Sequence, residues 1–148
     1  MRFMMLMIPT GYEKAPANAS PPAEAVDVMM KYNESLRKAG VLLSLDGLHP
    51  PTAGVRLSRA GGKLKVTDGP FAEAKEALGG YWILQVKSKE EAIEWASRCP
   101  AVQPYAPDGV ATIELRQLQE LSDWPSEVLA MMKKYPELMK MAEPPPGR

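Results

Sequence analysis

Two periods of apolar and polar residues run along this chain. Arg2-Phe3-Met4-Met5-Leu6-Met7-Ile8 is almost wholly apolar and is closed by Pro9, Thr10 and Gly11. Its length and flanks predict a central strand buried on both faces. A polar loop over 11–20 follows. Ser20-Pro21-Pro22-Ala23-Glu24 then reads as a helix start, with Ser20 as N-cap, proline in the first turn and an early acid. Val26, Met29, Met30, Asn33, Leu36 and Arg37 recur at three- and four-residue spacing and form a mainly apolar face. Lys38 and Gly40 close a helix expected over about 22–39.

The period then shortens to two. Val41 to Leu45 is apolar and turns at Asp46-Gly47, while Pro50-Pro51 forbids regular ladder bonding beyond it. Val55-Arg56-Leu57-Ser58 and Lys63-Leu64-Lys65-Val66-Thr67 alternate around Arg59-Ala60-Gly61-Gly62, the pattern of a β-hairpin. Tyr81 to Lys87 is a strong strand behind Gly79-Gly80. Ser88 and Glu91 make a capping box for a helix over 89–98, which Pro100 ends. Residues 101–109 read as a loop and Val110–Leu118 as the last strand. Ser122 is expected to cap a helix near 125–142 that Pro136 kinks or splits, and Pro144 to Pro146 begin a frayed tail.

The order β-α-(β-β hairpin)-β-α-β-α predicts an α+β, ferredoxin-like βαββαβ fold on an antiparallel sheet, with an extra C-terminal helix. Residues 1–120 form the expected domain, and 121–148 the helix and Pro-rich tail. A sheet with helices on one face leaves the other uncovered. Pairing of two copies sheet to sheet is its least costly cover, so a homodimer is expected.

Composition narrows the function classes. The 148 residues carry 18 basic and 18 acidic side chains, which argues against direct nucleic-acid or anionic-membrane binding by bulk charge. No run reaches the roughly 18 apolar residues a membrane span needs. The lone Cys99 and lone His49 exclude an internal disulfide and a multi-Cys or multi-His metal site. The first residues offer one arginine as a basic region, an apolar stretch of only six residues and no small-residue cleavage site directly after it, short of a signal peptide, which predicts a cytoplasmic protein.

The stretch Val66-Thr67-Asp68-Gly69-Pro70-Phe71-Ala72-Glu73-Ala74-Lys75-Glu76, followed by Leu78-Gly79-Gly80-Tyr81-Trp82, resembles the DGPF family, which is grouped with the YCII-related domains. Gly40-Val41-Leu42 resembles its upstream pattern; Glu94-Trp95-Ala96, Cys99-Pro100 and Ile113-Glu114-Leu115-Arg116 resemble its downstream one. The resemblance covers about residues 2–118. It implies a ferredoxin-like subunit paired as a dimeric α+β barrel with a cleft per subunit, and no settled reaction. DGPF-type relatives also occur joined to sigma-factor domains, which implies a regulatory context. Some YCII-like relatives carry a His/Asp pair thought to be catalytic. Here the helical histidine position falls among Met29, Met30 and Tyr32, and the aspartate position is Cys99, so that chemistry is not carried over.

Each candidate residue has a bland reading beside its functional one. In Asp68-Gly69-Pro70, the acid caps a turn, the glycine supplies positive φ and the proline sets the next φ; alternatively Asp68 is a carboxylate base facing a cleft. Glu73, Lys75 and Glu76 are a solvated face, or Lys75 holds an anionic group; two carboxylates without a third ligand make no metal site. His49 is an exposed loop residue, or a second acid/base group brought near Asp68 by the hairpin. Arg56 solubilises its strand, or reads a carboxylate with its planar fork. Phe71 and Tyr81 pack, or line the cleft. Cys99 is read as an inert, partly buried thiol. The expectation is a dimeric small-molecule-binding domain, with any acid/base step free of metal or organic cofactor. The alternative is an interaction module that meets a transcription-factor partner through the Met-rich C-terminal helix.

Overall fold

The computed structural model describes residues 1–103 and 111–143. The chain runs through strand β1 (Arg2–Pro9), helix α1 (Ala23–Lys38), strands β2 (Leu42–Gly47), β3 (Val55–Ala60), β4 (Lys63–Asp68) and β5 (Gly80–Gln85), helix α2 (Lys89–Ser97), strand β6 (Ala111–Gln117), and helices α3 (Ser126–Met132) and α4 (Pro136–Ala142). Strands β2, β5, β1 and β6 form one sheet in that order, antiparallel throughout. This α+β arrangement is compatible with a ferredoxin-like fold.

The hairpin β3–β4 stands apart as its own two-stranded sheet. The sequence pattern predicts it as the ββ of the βαββαβ order; the strand after α1 that joins the main sheet is instead β2. Pro50 and Pro51 explain the separation. Neither has an N–H to continue a ladder, and a short 3₁₀ turn over Pro51–Ala53 redirects the chain. Gly61 and Gly62 close the hairpin with φ of 55° and 76°, the left-handed pair that a two-residue turn requires.

The core lies between one sheet face and the helices. Phe3, Met5, Trp82, Leu84 and Val86 meet Tyr32 and Leu36 of α1 and Ala92 and Ala96 of α2. The face of α1 is rotated from the expected one. Tyr32, Asn33 and Leu36 are buried, whereas Val26 and Met30 are exposed. Hydrogen bonds set this rotation: the Trp82 indole N–H donates to Asn33 Oδ1 at 2.8 Å, and the Tyr32 hydroxyl donates to the Trp95 carbonyl at 2.9 Å. The Tyr32 and Trp82 rings meet edge to face, 6.2 Å apart.

Local stops follow the sequence with two exceptions. The Ser88 side chain accepts from the Glu91 N–H, as expected. Ser20 and Ser122 cap nothing: Pro22 and Pro125 hold the N-cap positions of α1 and α3. The C-terminal helix is split, with Pro136 opening α4. The frayed tail expected over 144–148, and most of the loop expected over 101–109, lie outside the described residues.

The second sheet face starts with Arg2 and continues through Met4, Leu6 and Ile8, with Tyr81 and Ile83 beside them. Leu6 is buried and the others are half-buried. Glu120 and α4 are tied here. Arg2 donates from Nε and Nη2 to the Glu120 carboxylate at 3.1 and 2.9 Å, and from Nη2 to the Ala142 carbonyl at 2.9 Å. The Arg2 hydrogen bond holds the Glu120 carboxyl below its usual range. Among the described residues, no helix is long and apolar enough to cross a membrane.

Candidate functional site around Asp68 to Glu76

The Asp68-Gly69-Pro70-Phe71 segment closes the base of the hairpin. Asp68 ends β4. The Gly69 N–H donates to the Gly54 carbonyl at 2.9 Å. A Cβ on Gly69 would stand 1.7 Å from the Pro51 carbonyl oxygen, so no other residue fits this approach. Glycine is therefore required for space rather than for the positive φ expected from the motif. The Gly69–Pro70 peptide is cis. Phe71 then places its ring under the Arg56 guanidinium, with 4.0 Å from Cζ to the ring centroid. The Ala74 N–H closes a turn onto the Phe71 carbonyl at 3.0 Å. The Gly79 N–H donates to the Met7 carbonyl at 2.8 Å and returns the chain to the main sheet.

Of the residues singled out from the sequence, Arg56 and Phe71 are brought into contact. Asp68, Glu73, Lys75 and Glu76 share the segment and are exposed. His49 is exposed in the loop between β2 and the 3₁₀ turn. Among the described residues, no hydrogen bond or ion pair joins His49 to Asp68, or Lys75 to any of the three acids. Tyr81 lies elsewhere, half-buried on β5 across from Asp46, and its hydroxyl donates to Asp46 Oδ2 at 3.4 Å. No group of three or more His, Cys, Asp and Glu side chains could hold a metal among the described residues.

Sequence reasoning did not foresee two pairings. Asp46 with Tyr81 depends on the register of β2 against β5, which no single strand contains. The other joins Tyr32 and Cys99 in one core cluster; Cys99 stands at the aspartate position of the resemblance, and Tyr32 is one of three residues around its histidine position. Cys99 is wholly buried rather than partly so. Burial pushes its thiol up, and burial together with Cys99 pushes the Tyr32 phenol up strongly. Both groups stay protonated at neutral pH, and neither can trade a proton with a substrate there.

Two surface grooves lie away from the segment. One of about 320 Å³ runs between α2 and β6, lined by Ile93, Ala96, Val102, Ile113 and Leu115 among others. A second of about 510 Å³ lies on the outer face of α1, around Met30, Lys31, Glu34 and Lys38.

A family model for the YCII-related domain matches residues 1–119. The chain is also 41% identical over 69 residues to an uncharacterized protein of Rhizobium meliloti (strain 1021). That match takes in 47% of this chain and 52% of the relative, so the chain spans about half the length of the curated relative it matches. On the family match, the chain belongs to the YCII-related domain family.

Proposed function

We propose that this YCII-related chain binds a small anionic molecule at the Arg56–Phe71 contact and works as a homodimer. The observation that carries the reading is the placement of the Arg56 guanidinium 4.0 Å from the centre of the Phe71 ring. A ring against one side of a guanidinium holds its plane while leaving its N–H edge free to donate. Among the described residues no acceptor takes those donors. A carboxylate or phosphate accepts from such a fork in two parallel bonds. Lys75, four residues on, adds a second positive charge in the same segment, with Glu73 and Glu76 shaping which anions are admitted.

An acid/base step on the held molecule falls to Asp68 as base and His49 as the second proton-carrying group. It needs no metal or organic cofactor. The second copy covers the sheet face of Met4, Leu6, Ile8 and Ile83 and walls the cleft.

The test is titration of ¹⁵N-labelled protein with inorganic phosphate and with succinate. Saturable shifts at Arg56 Nε and the Phe71 amide, reduced tenfold or more in affinity by Arg56→Ala, support the reading. Shifts absent in the wild type, or unchanged in Arg56→Ala, reject it. Sedimentation tests the homodimer separately.

A second reading rests on α3 and α4. Met131, Leu138 and Met141 are 51%, 63% and 78% exposed on these short helices. An interaction module would present them to a transcription factor. In that case a chain ending at residue 120 keeps its fold but loses binding to a purified sigma factor; equal binding by both chains removes this reading.

A further inference from the structure

The hairpin β3–β4 presents an apolar face to solvent. Register and strand alternation put Val55, Leu57, Leu64 and Val66 on one face, with Leu57 directly opposite Val66. These four are 54%, 61%, 60% and 59% exposed. The other face carries Arg56, Lys63 and Lys65, and it is on this basic side that Arg56 meets the Phe71 ring. The hairpin is therefore held with its charged side toward the Phe71 contact and its apolar side outward, the reverse of what solvation of a single chain favours.

The charges on the apolar face point to its occupant. The face reads in three rows: Asp68 beside Val55 at the base, Val66 beside Leu57 in the middle, and Leu64 beside Arg59 toward the tip. An acid stands at one end and a base at the other, about 13 Å apart along the strands. A two-fold axis through the middle row lays apolar on apolar and brings each Arg59 over the end of the other ribbon that carries Asp68. Among the described residues Arg59 makes one hydrogen bond from its side chain, to the Gly62 carbonyl at 3.1 Å, which leaves it further donors. A surface complementary to itself under a two-fold rotation is the requirement of an isologous contact.

We infer that the outward face of the hairpin is a self-association surface, paired face to face with the same hairpin of a second copy. This contact is separate from the sheet face and does not depend on the anion site. If both surfaces pair, two isologous contacts carry assembly beyond a dimer.

The test uses the single native cysteine to advantage, because Cys99 is buried. Leu57→Cys then presents an accessible thiol on the apolar face, and Lys65→Cys one on the opposite face. Under mild oxidation the full chain carrying Leu57→Cys should give a disulfide-linked pair at least tenfold faster than Lys65→Cys. By sedimentation, Arg59→Glu should weaken self-association about tenfold, and adding Asp68→Arg to it should restore most of the loss. Equal cross-linking rates for the two thiols overturn the inference. A wild-type chain that stays at 16.2 kDa up to high micromolar concentration also overturns it. A wild-type dimer insensitive to Arg59→Glu, with residue 57 slow to cross-link, overturns it as well while leaving sheet-to-sheet pairing intact. Capture of an acidic protein or anionic vesicles by the hairpin, with no homotypic cross-link, assigns the face to that occupant and rejects a second copy.

Discussion

Leu84 and Leu57 sit in similar sequence surroundings and meet opposite fates. Each lies inside a six-residue strand with a neighbouring strand hydrogen-bonded alongside. Leu84 is 0% exposed and Leu57 is 61% exposed. The difference is what lies above the strand. Strand β5 has α1 and α2 packed on one face and a paired strand on each side. The hairpin has its own ladder, the Gly69–Gly54 bond and the Arg56–Phe71 contact at its base. An apolar residue in a strand contributes to stability only when another layer removes it from water. In the hairpin the same residue type is available for a partner.

The largest effect that sharpens this contrast is expected at Leu84. Leu84→Ala removes side-chain atoms from a closed core and should lower the unfolding free energy by about 3 kcal/mol in urea titration. A loss below about 1 kcal/mol would mean the core relaxes around the gap and the two regions differ less than their burial indicates.

Next comes the polar knot under the sheet. Asn33→Ala takes the acceptor from the buried Trp82 N–H and should cost about 2 kcal/mol, with a changed Trp fluorescence maximum. Near-neutral stability in this variant would show that water reaches the indole.

Alkaline pH should distinguish the regions as well. Folding raises the Cys99 thiol and the Tyr32 phenol from ordinary values of 9.0 and 10.0. Above those values the unfolded chain releases protons that the folded chain retains. The stability these groups supply is therefore complete below about pH 9 and falls as pH rises, by up to about 1.4 kcal/mol per pH unit for each group. Tyr12, also raised by burial, adds to the decline above pH 10. Urea midpoints measured from pH 7 to 11 should show the onset, and Cys99→Ala should move it upward by about one unit. An onset unmoved by Cys99→Ala would assign the decline to the tyrosines.

The smallest effect belongs to the hairpin. Leu57→Ala should change the stability of the isolated chain by less than about 0.5 kcal/mol, since the side chain is already in water. A loss of 2 kcal/mol at dilutions where the chain is monomeric would break the comparison.

The candidate site was legible in part. Arg56 and Phe71 were both singled out from the sequence, and they meet. Local turn rules make the motif's glycine a φ device, because crowding by the Pro51 carbonyl involves a residue eighteen positions earlier that those rules do not consult. The buried face of α1 differs from the expected one for a related reason. Its apolar arc runs from Val26 through Met30 to Leu36, wide enough to seat in more than one rotation. Two hydrogen bonds to the sheet and to α2 chose among them.

By itself, the sequence determined the elements: β1 between Arg2 and Pro9, the two helices with a Ser88 cap on the second, the hairpin with its Gly61-Gly62 turn, and the break at Pro136. These depend on backbone bonds and side-chain periods that close within a few residues, so they can be read locally. Tertiary structure decided that β2, not the hairpin, completes the sheet, that Tyr32 and Cys99 share the core cluster, and that the apolar side of the hairpin looks outward. Those outcomes depend on which surfaces meet across tens of residues, and periodicity marks a face without naming the layer that covers it.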